Sequence, residues 1–280
     1  MHKPQFIAFI IILSYSPSFY AALRSLDTDK QAVLIVGAPR SGTSATTGVL
    51  QILGLELGED LVGPEHDNIK GHFEDASTVN LNRALIRSFG IHPHEPIKLS
   101  LNTQTEKSVH FVKNKVKQHI QQRFINYDYT FFGLKNPLVT LLLPFYVQVL
   151  QEFGYQVKLI LVLRNPLEVA LSLQKRVKFE LSRTLAIVEK YLTSLALYSK
   201  SQAKISICFD DLLHNTEKVI TKINTFLPQL KTYQQVKATI ASFLDKELKH
   251  HNQPDLSALN MQEKEIYTRT LRLYNYLLAP

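Results

Sequence analysis

Residues 32–44 read AVLIVGAPRSGTS, an apolar run that passes through a glycine into a short polar loop. Consecutive apolar residues that end at a glycine are typical of a buried central strand in a parallel sheet. Residues 44–55 then carry apolar side chains at helical spacing. A glycine-containing loop between a strand and the start of a helix is the setting in which backbone N–H groups bind phosphate. The segment therefore predicts a phosphate-binding loop.

The side chains of this loop are suited to an anion. Glycine lets the backbone turn tightly, arginine adds a fixed positive charge with several donors, and hydroxyl groups add further donors. The candidate anion-binding residues are Gly37, Arg40, Ser41, Gly42, Thr43 and Ser44. A glycine-rich turn without a ligand is the alternative. The triphosphate motif GxxxxGK[ST] requires a lysine at the position of Thr43, so a magnesium–triphosphate site is disfavoured.

Apolar runs and helical periodicity alternate along the rest of the chain. Further strands are predicted at residues 129–134, 156–163 and 204–209, and helices at residues 77–89, 106–124, 138–153, 167–175 and 181–201 and after residue 211. Asp75 is placed to cap the helix that follows it. This order predicts an α/β fold with a P-loop-type parallel sheet of about four to five strands and helices on both faces.

A second candidate anion site follows the run at residues 156–163. Arg164 comes at the carboxyl end of that predicted strand, where ligands bind in open α/β sheets. Ser172 lies about two turns into the next helix. Arginine can hold two oxygens of a phosphate through its planar donors. An arginine that caps the strand or pairs with Glu168 is the alternative.

Both elements resemble motifs of the sulfotransferase superfamily, in particular of its bacterial-type members. Residues 37–50, GAPRSGTSATTGVL, resemble the loop that holds the 5′-phosphosulfate of PAPS, and residues 164–172, RNPLEVALS, resemble the element that holds its 3′-phosphate. Residues 63–75 and 209–212 extend the resemblance to other parts of the chain. The resemblance implies in-line transfer of a sulfuryl group from PAPS to an acceptor hydroxyl or amine, for example of a glycan, with no metal required.

The resemblance also implies roles for individual residues. Arg40 would contact the group that is transferred, and Lys135, in the family's Lys-x-Pro pattern, would assist it. A solvated surface lysine is the alternative for Lys135. Glu74 matches a loop glutamate that serves as the base in some members of the family. His66 and His72 in the same loop are alternative bases, because the usual pKa of histidine suits proton transfer near neutrality.

The sequence departs from the family pattern next to Lys135. Related proteins tend to read Lys-Asp-Pro-Arg where this chain reads Lys135-Asn136-Pro137-Leu138. Replacement of the acidic aspartate by Asn136 and of the basic arginine by Leu138 is expected to shift the choice of acceptor or to rearrange local pairing.

Composition and charge narrow the possible functions. The 280 residues are 45% hydrophobic and 20% charged, as in an ordinary globular protein. The net charge of +8 suits an anionic nucleotide, and the basic residues are scattered without a nucleic-acid motif, so no nucleic-acid partner is expected. Cys208 is the single cysteine, which excludes an internal disulfide. His92 and His94 form a pair without an obvious third ligand, so no metal site is predicted.

Two other functions fit parts of the sequence. A P-loop kinase acting on a small molecule would use the loop, but the missing lysine and the strand-end Arg164 argue against it. A non-catalytic module could keep the nucleotide cleft without turnover. Both remain as alternatives to a PAPS-dependent transferase.

The N-terminal residues carry a different pattern. Residues 4–23 contain no charged side chain, and residues 6–13 form a continuous apolar run behind Lys3. Such a run suits the centre of a signal peptide or an anchor, with a loosely packed extension as the alternative. We expect residues 1–30 to be a hydrophobic extension of a single domain over residues 31–280. We also expect a cytoplasmic protein that associates with a membrane through this extension.

Overall fold

A parallel sheet forms the centre of the structure. The computed structural model describes residues 30–64, 70–90, 94–95, 106–244 and 255–279. Its strands are β1 (Gln31–Val36), β2 (Phe131–Lys135), β3 (Gln156–Leu163) and β4 (Ala203–Cys208). They lie in the order β2-β1-β3-β4, and each neighbouring pair is parallel. The carboxyl ends of all these strands therefore meet at one edge.

The side chains of β1 alternate between two hydrophobic cores. Ala32 and Leu34 pack into one core, whereas Val33 and Ile35 pack into the other, and each is fully buried. Successive side chains of a strand point to opposite faces of the sheet, so both faces are covered. This confirms the predicted α/β fold with a parallel sheet between layers of helices.

The helices of the described residues follow the predicted order. They are α1 (Thr43–Ile52), α2 (Ala76–Ser88), α3 (Glu106–Arg123), α4 (Leu143–Glu152), α5 (Pro166–Val177), α6 (Leu181–Tyr198), α7 (Phe209–His214), α8 (Thr216–Phe226), α9 (Tyr233–Phe243) and α10 (Met261–Leu278). Helices α1, α8 and α9 contribute to the core on one face of the sheet. Helices α2 to α6 and α10 contribute to the core on the other face.

One predicted helix is wrong. In place of a helix over residues 138–153, the chain forms a 3₁₀ turn at Pro137–Thr140 and then α4. Pro144 lies in the first turn of α4. Proline lacks an N–H and clashes with the carbonyl four residues earlier, so it is tolerated in a first turn but not inside a longer helix. The break leaves the short turn beside the carboxyl end of β2.

Asp75 caps α2, as predicted, and fixes the residue next to Glu74. Its carboxylate accepts a hydrogen bond from the Thr78 N–H at 2.7 Å and two from Arg123, at 2.9 and 2.5 Å. Burial alone would raise the pKa of Asp75, but the hydrogen bonds that the carboxylate accepts outweigh burial and hold the pKa below its usual value. His119 completes the cluster, with its Nε2 2.7 Å from the Thr78 Oγ1.

Acidification is expected to destabilise the fold through His119. Burial is the main cause that lowers the pKa of His119 from 6.5 to about 4. Below pH 6.5 His119 of the unfolded chain binds a proton that His119 of the folded chain does not bind. The free energy of unfolding therefore decreases as the pH falls toward 4. The full loss is about 3 kcal/mol, at 1.36 kcal/mol for each unit of pKa difference.

Urea denaturation between pH 7 and pH 4.5 measures this loss. His119→Gln should flatten the dependence of the free energy of unfolding on pH, whereas His110→Gln, at an exposed position of the same helix, should not. Asp75 does not interfere, because a group with a lowered pKa loses its contribution only at more acid pH. Equal slopes for the wild type and both variants would contradict the expectation.

The predicted localisation needs correction. Within the described ranges, no helix is long and apolar enough to cross a membrane. Residues 4–23, on which the expected membrane association depended, lie outside those ranges. The prediction of a cytoplasmic protein held at a membrane by an apolar segment is therefore wrong as a description of this structure.

Candidate functional site

The predicted phosphate-binding loop lies between β1 and α1, at the carboxyl edge of the sheet. Gly42 precedes α1 with a φ of 96°, a left-handed conformation that glycine adopts without steric cost. A Cβ atom at this position would lie 2.2 Å from a ring carbon of Phe209, so no larger residue fits. No described side chain caps α1. The N–H groups of its first turn are therefore suited to an anion.

Hydroxyl groups of the loop are buried beside this helix start. Ser41 is 2% exposed, and its Oγ has no hydrogen-bond partner among the described residues. Thr43 is the first residue of α1 and is also buried. Buried polar atoms nearly always have a partner, so an isolated hydroxyl at this position indicates a place for a polar ligand.

Gly37 shapes the loop and does not offer its N–H to a ligand. That N–H donates to the Thr140 Oγ1 at 3.0 Å, and the same hydroxyl lies 3.1 Å from the Gly37 carbonyl oxygen, to which it donates. A Cβ at position 37 would lie 2.6 Å from the carbonyl oxygen of Val162. The glycine is thus required by the close approach of β3, and Thr140 holds the loop from the 3₁₀ turn.

Arg40 connects the loop to the second candidate anion site. Its φ of 72° is left-handed, which costs energy for a residue with a side chain. Its Nε donates to the Oγ of Ser172, 132 positions away in the sequence, at 3.1 Å. Ser172 lies in α5, directly after β3. The structure therefore brings the two sequence motifs together at one edge of the sheet.

Arg164 follows β3 and is 7% exposed. Its Nε donates to the Oε2 of Glu168 at 2.9 Å, which is the pairing that the sequence left as an alternative. Its Nη2 lies 2.9 Å from the same oxygen but makes no hydrogen bond with any described residue. The guanidinium also lies 5.1 Å from the ring centre of Phe209. Glu168 therefore holds the arginine rigidly, and Nη2, though ion-paired with that carboxylate, keeps hydrogen-bonding capacity beside the loop.

Lys135 lies at the end of β2 and is 3% exposed, so the surface-lysine alternative is wrong. Its Nζ donates to the Glu74 Oε1 at 2.5 Å, and to the Ser44 Oγ and the His72 carbonyl oxygen, both at 3.0 Å. Burial lowers the pKa of Lys135, although the carboxylate of Glu74 opposes this. The lysine therefore joins the loop around Glu74 to the first turn of α1.

Glu74 is held by both of its carboxylate oxygens. Lys135 donates to Oε1, and the Asn136 Nδ2 donates to Oε2 at 2.6 Å. An aspartate at position 136, as in the family pattern, would place a second carboxylate against Oε2. Like charges at this distance repel strongly. The departure at Asn136 therefore has a physical reason, because its amide supplies a donor that an aspartate lacks.

The structure resolves the position of some of the candidate histidines. His72 and His94 lie among the described residues, and His66 and His92 lie outside them. His72 contributes its backbone carbonyl to Lys135. Within the described part of the chain, no group of three or more His, Cys, Asp or Glu side chains could hold a metal ion.

Sequence reasoning missed several residues of the site. Thr140 carries no signal in the sequence that marks it as a neighbour of the loop. Phe209 belongs to residues 209–212, which resemble the family, but its contact with the loop was not predicted. Asn82 does carry one, because it occupies a position on the buried face of α2, between Val79 and Leu85. A polar side chain on such a face usually has a buried polar partner.

Two comparisons with known proteins found no match, since no protein-family model and no curated protein matches the sequence. Solved structures do resemble the chain. The sulfotransferase domain from the olefin synthase of Synechococcus PCC 7002 has 18% sequence identity to this chain and a TM-score of 0.44. The matched region covers 87% of this chain and 96% of that domain. The sulfotransferase domain from the curacin biosynthetic pathway has 15% sequence identity and a TM-score of 0.41. The matched region covers 86% of this chain and 97% of that domain. Both are sulfotransferase domains, but at these values the function of this chain is inferred from its own residues.

Proposed function

We propose that this chain is a PAPS-dependent sulfotransferase, with residues 31–280 as its catalytic unit. The contact between Arg40 and Ser172 is the observation that supports this best. It joins the loop expected at the 5′-phosphosulfate to the helix expected at the 3′-phosphate. Two donor-rich elements at the carboxyl edge of a parallel sheet suit a nucleotide with anionic groups at two positions.

The buried polar atoms of the site suit the donor. Ser41 Oγ makes no hydrogen bond with any described residue, and Arg164 Nη2 makes none either, although it is ion-paired with Glu168. An anionic oxygen at each atom would supply a hydrogen bond. The first turn of α1, with Ser44, would receive the 5′-phosphosulfate. Arg164 and Ser172 would receive the 3′-phosphate. The negative charge of the donor would then be met by protein groups alone.

In the proposed reaction, a hydroxyl or amine of the acceptor attacks the sulfur of PAPS in line with the leaving phosphate. The bond between the acceptor and sulfur forms as the bond between sulfur and the 5′-phosphate oxygen breaks, and PAP leaves with that electron pair. Glu74 takes the proton of the acceptor. Arg40 and Lys135 stabilise the charge on the sulfuryl oxygens and on the leaving phosphate. A carbohydrate is the acceptor class that the resemblance favours.

PAP is expected to raise the thermal unfolding temperature of the protein without magnesium. Arg164→Ala should weaken PAP binding by about 1.5–3 kcal/mol, the range for a hydrogen bond to a charged group. Isothermal titration calorimetry at one fixed salt concentration measures this loss. Glu168→Gln is the matched control, because it removes the partner of Arg164 and keeps the arginine.

The outcomes separate the competing functions. Protection by ATP with magnesium but not by PAP would favour the kinase and overturn the proposal. Tight PAP binding without turnover of any acceptor in a broad panel would favour the non-catalytic module. Unchanged PAP affinity in Arg164→Ala would remove that arginine from the nucleotide site.

A further inference from the structure

A chain of buried polar side chains leads from Glu74 into the core. Asn136 Nδ2 donates to Glu74 Oε2 at 2.6 Å. Asn82 Nδ2 donates to Asn136 Oδ1 at 3.2 Å, and the Tyr146 hydroxyl donates to Asn82 Oδ1 at 2.7 Å. Tyr146 and Asn82 are fully buried, and Asn136 is 3% exposed. In such surroundings a satisfied network is rigid, because any broken link leaves a polar group unpaired.

One backbone group fixes the direction of this chain. The Leu138 N–H donates to Asn136 Oδ1 at 3.0 Å, so the amide nitrogen of Asn136 has to face Glu74. Asn82 then has to donate to Asn136 through its nitrogen. Its oxygen faces Tyr146, whose hydroxyl has to donate. Every donor in this series of hydrogen bonds therefore points toward Glu74.

The two oxygens of Glu74 differ in what they would lose on protonation. A proton on a carboxylate oxygen weakens the hydrogen bond that this oxygen accepts. On Oε2 it would cost the fixed amide of Asn136 its acceptor inside the core. On Oε1 it would weaken the contact with Lys135, whose Nζ keeps the Ser44 hydroxyl and the His72 carbonyl as acceptors.

We infer that Tyr146, Asn82 and Asn136 are positioning residues that direct Glu74 to take a proton on Oε1, the oxygen that faces Lys135. The inference rests on the proposed role of Glu74 as the base. As the acceptor bonds to sulfur, its proton moves to Oε1 and the charge of the ion pair with Lys135 is lost. The ammonium group of Lys135 is then released toward the first turn of α1, where the leaving phosphate is proposed to lie.

Other charged and titratable groups act on this pair from the surrounding elements. Arg40 in the loop and Arg176 in α5 interact electrostatically with Lys135, and Tyr191 in α6 interacts with Glu74. Arginine stays charged at every pH of interest. Burial raises the pKa of Tyr191 far above its ordinary range. Neither kind of group changes its charge in the acid range where a carboxylate titrates.

Asn136→Asp tests the contact by infrared difference spectroscopy of the free protein. The infrared band that is missing in Glu74→Gln belongs to the carboxyl group of Glu74. A histidine side chain has no such band. Two carboxylates in contact share one proton, and one of them titrates at higher pH. The protonated carboxyl band should therefore persist to a pH about one unit or more above that of the wild type. An unchanged titration would overturn the inference.

Tyr146→Phe provides a second and milder test. Loss of the terminal donor should lower turnover about 3–10-fold, the factor of one neutral hydrogen bond, with an unchanged KM for PAPS and a shifted acid limb of the rate. Tyr155→Phe is the control, since Tyr155 is a buried tyrosine that donates to the carbonyl of Tyr129, away from Glu74. Equal effects of the two variants would overturn the inference.

The infrared result does not depend on activity. If the carboxyl band shifts in Asn136→Asp but no sulfuryl transfer is found in the wild type, the proposed function fails and the network around Glu74 stands. If transfer is found and the band does not shift, the positioning role fails and the proposed function stands.

Discussion

Glu74→Gln is expected to lower the turnover of sulfuryl transfer by about 10²–10⁴, the usual contribution of general base catalysis. Glutamine keeps the shape of the side chain but cannot take the proton of the acceptor. PAP affinity should stay nearly normal, because the anionic groups of the donor gain nothing from a carboxylate. The wild-type rate should also rise with pH along an acid limb that the variant lacks. Steady-state kinetics with PAPS across pH measures both effects.

Two controls make the result specific. Glu56→Gln changes an exposed glutamate of the preceding segment and should leave turnover unchanged. Thermal unfolding with and without PAP shows whether Glu74→Gln is folded. A fully active Glu74→Gln enzyme, with the loss instead in His66→Ala or His72→Ala, would assign the base to a histidine.

Arg40→Ala is expected to lower kcat by about 10²–10³, as the loss of a charge-stabilising donor does. The effect should appear in kcat more than in PAP affinity, because charge moves onto the leaving phosphate during transfer. Arg40→Lys should keep more activity than Arg40→Ala, since it retains the positive charge. Ser172→Ala removes the hydrogen-bond partner of Arg40 and a proposed contact to the 3′-phosphate, so its effect should appear in PAP affinity more than in kcat. Normal kcat in Arg40→Ala would exclude stabilisation of charge by the arginine.

Lys135→Ala should lower kcat by a similar factor, but the structure changes how this variant is tested. Removing Lys135 leaves the Glu74 carboxylate buried without its cation, which costs about 3–5 kcal/mol of stability. The double variant Lys135→Met/Glu74→Gln removes both charges and is expected to recover much of that stability. Normal turnover in a folded Lys135 variant would exclude the lysine from the chemistry.

Local sequence patterns were sufficient for the sheet and for the start of the site. The apolar run of β1, its glycine and the following helix are neighbours in the chain, so their arrangement follows from local geometry. The pairing of Arg164 with Glu168 is also local, because only the N-cap Asn165 and the first turn of α5 separate the two residues. Both features are therefore open to prediction from the sequence.

Long-range contacts could not be read in this way. Lys135 is buried because the segment that carries His72 and Glu74 packs against the end of β2. Hydrophobic periodicity does not predict such a long-range contact. The value of an asparagine at position 136 follows only from the carboxylate that faces it. The predicted helix over residues 138–153 failed because its apolar spacing continues through Pro144, although proline cannot continue a helix.

The left-handed backbone of Arg40 implies a trade-off between robustness and activity. Any residue with a Cβ atom is strained by about 1–2 kcal/mol in this conformation, and glycine is not. Directed evolution for heat resistance alone would therefore favour glycine at position 40, at the expense of the positive charge proposed to act on the sulfuryl group. A strained arginine at this position is consistent with the catalytic role proposed for its side chain, at the expense of stability.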